Sequence, residues 1–289
     1  MKQRIITACW LIPLAVLWMF AAPAQLFATG AVILVLLGAW EWGKFVCPGK
    51  LWAYASLVAA LLGVSFCFCN PFLMENTVNF YSHPAPAGLL GMGAAWWILA
   101  FVLVIKYPAD RNLLENRFMT GILGLVTLLP FFWSLLVLHQ RGTATNLLPF
   151  EQGAANLFFV MLLVWCADSG AYFTGKFLGR HHMIPQVSPN KTWEGLAGGV
   201  ALALIVAFGA TSFMESHWNA LYLALSVVLA VGASVVGDLA ESMFKRIAGI
   251  KDSSNLLPGH GGVLDRIDSL TAALPVYAFV LLLCSRIGG

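Results

Sequence analysis

The sequence predicts an all-α, polytopic transmembrane bundle of about nine membrane-spanning helices with a cytoplasmic N-terminus. Composition is the first reason. Of 289 residues, 60% are hydrophobic and 10% charged, and mean hydropathy is +0.83; a soluble domain carries about 25% charged residues. One globular core cannot hide that much apolar surface, so the excess faces lipid. The second reason is run length. The apolar stretches are continuous and about twenty residues long, the length at which a helix crosses a bilayer. A β-barrel would instead show alternating segments of roughly ten residues. The third reason is the distribution of basic residues over the loops.

The spans fall at roughly 5–21, 26–43, 52–69, 88–106, 119–138, 154–176, 194–213, 219–240 and 269–286. Short polar or Pro/Gly-bearing links separate them, and no internal repeat is visible. The chain reads as a single integral membrane domain, 1–289, with N-terminal helices over 1–150 and C-terminal helices over 151–289 that carry the polar chemistry. Lys2 and Arg4 precede the first run, and Ala22-Pro23-Ala24 resembles a small-residue cleavage site. Eight further spans follow, and an uncleaved anchor is expected. With the N-terminus inside, fourteen of the sixteen Lys and Arg residues lie in cytoplasmic loops or at inner span ends; Arg141 and Arg286 are the exceptions. That bias follows the positive-inside rule. Residues 70–87, with no Lys or Arg, suit the outer face. The six cysteines are scattered in or beside apolar runs and form no CxxC, so they read as packing residues.

Three cytoplasmic stretches carry polar groups that a passive bundle does not need. In Trp165–Arg180, Asp168 follows an apolar run, where a carboxylate is expensive unless paired or metal-bound. Asp168, Tyr172, Gly175 and Gly179 share helical spacing, and the two glycines form a GxxxG that permits close helix approach. In Ser188–Gly195, Ser188-Pro189 is expected to start a turn before Lys191, Thr192 and Glu194. Glu194 also suits a helix N-terminus, and Lys191 also suits positive-inside charge. The third stretch, Gly237–Asp268, is the densest. Asp238, Glu241, Ser242 and Lys245 fall at i, i+3, i+4 and i+7, one face of a helix. Arg246, Lys251, a Pro-Gly turn, His260, Gly261 and Gly262 follow. Asp265, Arg266 and Asp268 then sit where the last span should begin. Carboxylates from two helices can converge on a hard divalent cation such as Mg²⁺, and basic neighbours suit phosphate oxygens. Glycines at 261 and 262 let backbone approach a ligand. Helix capping by Asp268 and topology setting by Lys245-Arg246 are the structural alternatives. No P-loop pattern occurs.

The run Ser242-x-Phe244-Lys245-Arg246, four residues, Lys251-Asp252-x-Ser254-x-x-Leu257-Pro258-x-His260-Gly261-Gly262-x-x-Asp265-Arg266-x-Asp268 resembles the signature of the phosphatidate cytidylyltransferases, the CDP-diacylglycerol synthases, of the bacterial inner-membrane type. "ADSGAYFTGKFLGRH", "VSPNKTWEG" and "ASVVGDLAESMFKR" resemble the same family, and the likeness is sharpest over 165–275. The resemblance implies a nucleotidyltransferase of phospholipid biosynthesis that joins CTP and phosphatidate into CDP-diacylglycerol and pyrophosphate. Its cofactor would be Mg²⁺, with a second metal ion left open. Its partners would be CTP, the phosphatidate lipid and the bilayer, with no nucleic acid and with a homodimer compatible. Asp238, Lys245 and Asp265 are the implied catalytic set. Asp238 and Asp265 would hold metal, with Asp168 and Asp268 in support. Ser188, Lys191, Arg246, Lys251, His260, Gly261, Gly262 and Arg266 would bind substrate. The lipid must enter laterally, so a cavity is expected that opens to inner leaflet and cytoplasm, with its floor near Asp168 and Asp238. A transporter would show repeats, and a CDP-alcohol transferase would show DG-x-x-AR; neither is present.

Overall fold

In the computed structural model every one of the nine apolar runs is helical. The structure describes residues 2–69, 84–109, 111–139, 153–213 and 219–288. In chain order the elements are α1 (Lys2–Ala21), α2 (Ala24–Val46), α3 (Leu51–Cys69), α4 (Pro84–Lys106), the short α5 (Arg111–Glu115), α6 (Arg117–His139), α7 (Gly153–Leu178), strands β1 (His182–Ile184) and β2 (Ser188–Thr192), α8 (Trp193–Phe213), α9 (Ala220–Ile247) and α10 (Leu264–Gly288). Helices satisfy their backbone groups internally, which is what lipid demands of apolar segments. Among the described residues, seven helices are long and apolar enough to cross a membrane: α2, α4, α6, α7, α8, α9 and α10. The described apolar parts of α1 and α3 are shorter, Cys9–Ala21 and Leu51–Cys67. The chain is a multi-pass α-helical membrane protein. The outer-face reading of 70–87 falls largely, and Arg141 wholly, outside the described residues.

One expectation is corrected. The segment between α7 and α8 is an antiparallel hairpin, with His182 opposite Thr192 and Ile184 opposite Ser188. Ser188 and Pro189 therefore start a strand, and the turn precedes them at 185–187. Among the described residues β2 pairs with β1 alone, so Pro189 lies on an edge strand, where proline is tolerated. As the spacing of Asp238, Glu241, Ser242 and Lys245 predicts, α9 stays helical through its polar end to Ile247, beyond the apolar run that stops near 240.

Packing explains the order of layers. Helix α10 is the innermost span, with 78% of its apolar window buried, whereas α8 has 28% buried and lies outside. α10 packs along α9 and against α4 and α6, while α2 rests on α3 and α6. The α7–α8 contact is long and close because it is lined with glycine. A methyl at Gly199 would lie 2.6 Å from the Ala167 carbonyl oxygen, and one at Gly170 would lie 2.8 Å from that of Gly198. Gly175 of the expected GxxxG meets the Gly195 backbone in the same seam. Without a hydrophobic drive between helices in lipid, such small-residue contact is what lets them pack.

The polar elements gather at one end of the bundle. Thr7 of α1 donates to the Pro258 carbonyl at 3.0 Å, and Lys44, at the C-terminal end of α2, donates to the Ser253 carbonyl. The hairpin, the end of α9 and the start of α10 meet at that same end through Lys191–Asp238 and Lys245–Asp265 contacts.

Candidate active site

Helix α9 supplies the frame. Its last turns present Asp238, Glu241, Ser242 and Lys245 at the predicted spacing, and the structure divides them between two ion-pair clusters. In the first, the Lys191 ammonium reaches back from β2 to Asp238 Oδ2 at 2.7 Å. Both side chains are partly open, 25% and 34% exposed. Ser242 Oγ donates to Asp238 Oδ1 over a long 3.4 Å. Asp168 of α7 and Asp268 of α10 both lie close enough to feel the charges of Asp238 and Lys191. Gly237 lets α10 come close here, since a methyl at that position would sit 2.6 Å from the Asp268 carbonyl oxygen.

In the second cluster the Lys245 ammonium stands between two carboxylates, 2.5 Å from Glu241 Oε2 and 2.7 Å from Asp265 Oδ1. These side chains are only 12%, 4% and 5% exposed. Glu241 Oε1 is buried with no hydrogen-bond partner. Asp265, in the first turn of α10, is more fully used. Its Oδ2 accepts from Gly262 N at 2.7 Å and Ser253 N at 2.9 Å, and lies 2.8 Å from Ser253 Oγ.

The loop between α9 and α10 folds on itself. Leu257 N donates to Gly261 O and His260 N to Leu257 O, both at 2.9 Å. Gly259 and Gly261 have φ of 76° and 84°, the left-handed region where a Cβ is strained. Gly262 has ordinary φ, but a Cβ there would strike Ser253 and the Glu41 carboxylate. The group that approaches this glycine closely is thus the protein's own glutamate. Glu41, on α2, is fully buried. It accepts from Ser254 Oγ at 2.5 Å, Leu264 N at 2.6 Å, Val263 N at 2.9 Å and Ser253 Oγ at 3.0 Å. The first N–H groups of a helix lack partners within it, and for α10 a residue more than two hundred positions away supplies them.

Asp168, Lys191, Asp238, Lys245, Asp265 and Asp268 lie in or beside these clusters, and Gly261 and Gly262 lie against Asp265. Arg246, Lys251 and Arg266 are exposed, and Arg266 Nε donates to the His260 carbonyl at 3.0 Å. His260 itself is half-buried, and its Nδ1 is buried without a partner. Ser188 is half-buried at the start of β2. Sequence reasoning missed Glu41 and left Glu241 without a role. The signal for Glu41 was present: an acid inside an apolar span, flanked by Trp40 and Trp42.

Asp168 and Asp238 line neither of two cavities at this end. One, of about 210 Å³, lies between the ends of α2 and α9 and the start of α6, and includes Lys44, Arg117 and Phe244. The other, of about 10 Å³, is lined by Glu241, Asp268 and Thr271 among aromatic rings. Among the described residues, no three His, Cys, Asp or Glu side chains converge tightly enough to form a ready metal cage. By type the donors are hard carboxylate oxygens, the kind that hard divalent cations take. Such oxygens at Asp238 and Asp265 here carry ammonium groups instead. Of the two ammonium groups, Lys191 is the more open, paired with one carboxylate, whereas Lys245 is enclosed between two.

Residues 2–284 match the sequence profile of the cytidylyltransferase family. The phosphatidate cytidylyltransferase of Pseudomonas aeruginosa is 44% identical over 286 residues, 97% of each chain. That of Haemophilus influenzae is 39% identical over 292 residues, 96% of this chain and 98% of the relative. That of Bacillus subtilis is 35% identical over 214 residues, 74% and 76% of the two chains. With the match running through the N-terminal helices as well as the polar clusters, the chain belongs to the cytidylyltransferase family.

Proposed function

We propose that this protein is a phosphatidate cytidylyltransferase of a bacterial inner membrane. It converts CTP and phosphatidate to CDP-diacylglycerol and pyrophosphate at the cytoplasmic face, with nine spans and a cytoplasmic N-terminus. The observation that carries the reading is the pair of fixed ammonium groups, Lys191 on Asp238 and Lys245 between Glu241 and Asp265, in a chain of this family.

The chemistry follows from charge. An oxygen of the lipid phosphate attacks the α-phosphorus of CTP. That bond forms as the bond from the α-phosphorus to the pyrophosphate oxygen breaks, and the electron pair leaves with pyrophosphate. The attacking oxygen is already anionic, so no strong protein base is needed. The difficulty is bringing two polyanions together, and positioning plus electrostatic stabilisation supply most of the catalysis. Lys191 and Lys245 are held by carboxylates before substrate arrives, so little reorganisation is required. Lys191, half-exposed, meets a phosphate directly. Lys245, deeper, holds Asp265 in place and stabilises charge developing on the pyrophosphate. The exposed Arg246, Lys251 and Arg266 draw the triphosphate toward the membrane surface. The half-buried His260 and Ser188 stand by to contact nucleotide oxygens. Asp238 and Asp265, with Asp168 and Asp268 beside Asp238, would hold Mg²⁺, which when bound neutralises charge on the phosphate oxygens.

The test is direct. Purified protein in mixed micelles receives labelled CTP, Mg²⁺ and phosphatidate. Lipid-linked CMP formed only when all three are present supports the assignment. No product, where an authentic phosphatidate cytidylyltransferase makes it, overturns it.

A further inference from the structure

We infer that Glu41 and Lys44 of α2 are positioning residues for the reaction proposed above, acting through Ser253 to set Asp265 against Lys245. The inference rests on that functional reading, and its geometry is its own. Glu41 and Lys44 lie three apart, on one side of α2, as it reaches the polar end. They grip the same residue from two directions. Glu41 Oε2 accepts from Ser253 Oγ at 3.0 Å, while the Lys44 ammonium donates to the Ser253 carbonyl. Ser253 then spends its remaining donor on the site, its N–H reaching Asp265 Oδ2 at 2.9 Å. Its hydroxyl lies 2.8 Å from that same Asp265 oxygen.

Glu41 also fixes the platform on which Asp265 stands. The Val263 and Leu264 amides, which open α10, donate to its two carboxylate oxygens at 2.9 and 2.6 Å. Ser254 Oγ completes four donors on one fully buried carboxylate. A carboxylate in lipid-protected protein is costly without such partners, and hydrogen bonds to a charged group are among the stronger ones. The loop and the helix start therefore cannot shift without uncovering a buried charge. Gly262 closes the arrangement, because any side chain there would enter the space that Glu41 occupies.

The consequence is that the N-terminal helices do more than border lipid. They hold one pole of the reaction centre from α2, and Asp265 passes that position to Lys245 at 2.7 Å. Neither Glu41 nor Lys44 needs to touch substrate for this.

Glu41→Gln tests it, because the amide nitrogen would place a donor against donors without changing size. We expect kcat to fall about a hundredfold, the cost of a small misplacement of reacting groups. KM for CTP and phosphatidate should stay within about threefold, because the binding groups are untouched. Asp265→Asn combined with Glu41→Gln should be little worse than Asp265→Asn alone, since both act through one contact. A kcat within about twofold of the parent overturns the inference, as does full additivity in the double variant. If Glu41→Gln fails to fold, Lys44→Met and Ser254→Ala carry the test. Each removes one contact and should lower kcat about fivefold to tenfold, and parental kcat in both overturns the inference. If the parent itself makes no lipid-linked CMP, it is the functional reading that fails. Amide exchange then decides the brace: faster exchange at Ser253 in Lys44→Met supports it, and an unchanged rate refutes it.

Discussion

The two ion-pair clusters on α9 use the same chemistry in different surroundings. Lys191–Asp238 is a single pair with about a quarter to a third of each side chain open. Lys245 with Glu241 and Asp265 is a triad almost wholly enclosed, tied through Asp265 to the loop and through the loop to α2. A half-open pair contributes little to stability, about 0–1 kcal/mol, so in the proposed reaction Lys191 could exchange its carboxylate for a substrate phosphate at small cost. An enclosed triad cannot lose a member without stranding charge. The comparison sets an open cluster against an enclosed one on the same helix.

Lys245→Met, in the enclosed cluster, should have the largest effect. It leaves Glu241 and Asp265 buried without their cation, at a cost of about 3–5 kcal/mol. Thermal unfolding in detergent should show a clear loss of midpoint together with lost turnover. An unchanged midpoint would erase the distinction between the clusters. Lys191→Met removes the cation of the open cluster. Turnover should fall about tenfold or more, while stability changes by less than about 1 kcal/mol. A stability loss as large as that of Lys245→Met would place both clusters in the same class. The smallest effect belongs to Lys251, exposed and outside both clusters. Lys251→Ala should raise the CTP concentration needed for half-maximal rate severalfold with kcat nearly kept, because it removes binding common to ground and transition states. A titration of rate against CTP that overlays the parent would return Lys251 to a topological role.

The helical spans were legible because a bilayer imposes one requirement on every run, and continuous apolarity about twenty residues long states it openly. The polar end of α9 was legible too, since Asp238, Glu241, Ser242 and Lys245 repeat at helical spacing. The hairpin at 182–192 was not: its strands are short and half-exposed, and Pro189 reads as a turn residue. The division of the stripe into two clusters was also hidden. Spacing shows which side chains share a face, but the partners arrive from β2, α7 and α10, and only packing brings them. Glu41 was visible as an intramembrane acid, yet its task depends on the amides of Val263 and Leu264, and backbone donors leave no mark in side-chain sequence. The glycines of the final loop carried half their meaning: Gly261 needs its positive φ, and Gly262 makes room for Glu41.

The central claim is that cytidylyl transfer takes place at the open cluster of α9. Formation of lipid-linked CMP by Asp238→Asn, measured beside its thermal midpoint in the same detergent, tests it most directly. We expect turnover to fall at least about a hundredfold with the midpoint shifted by no more than a weak, half-open pair allows. Turnover close to the parent in a folded Asp238→Asn protein would contradict the account.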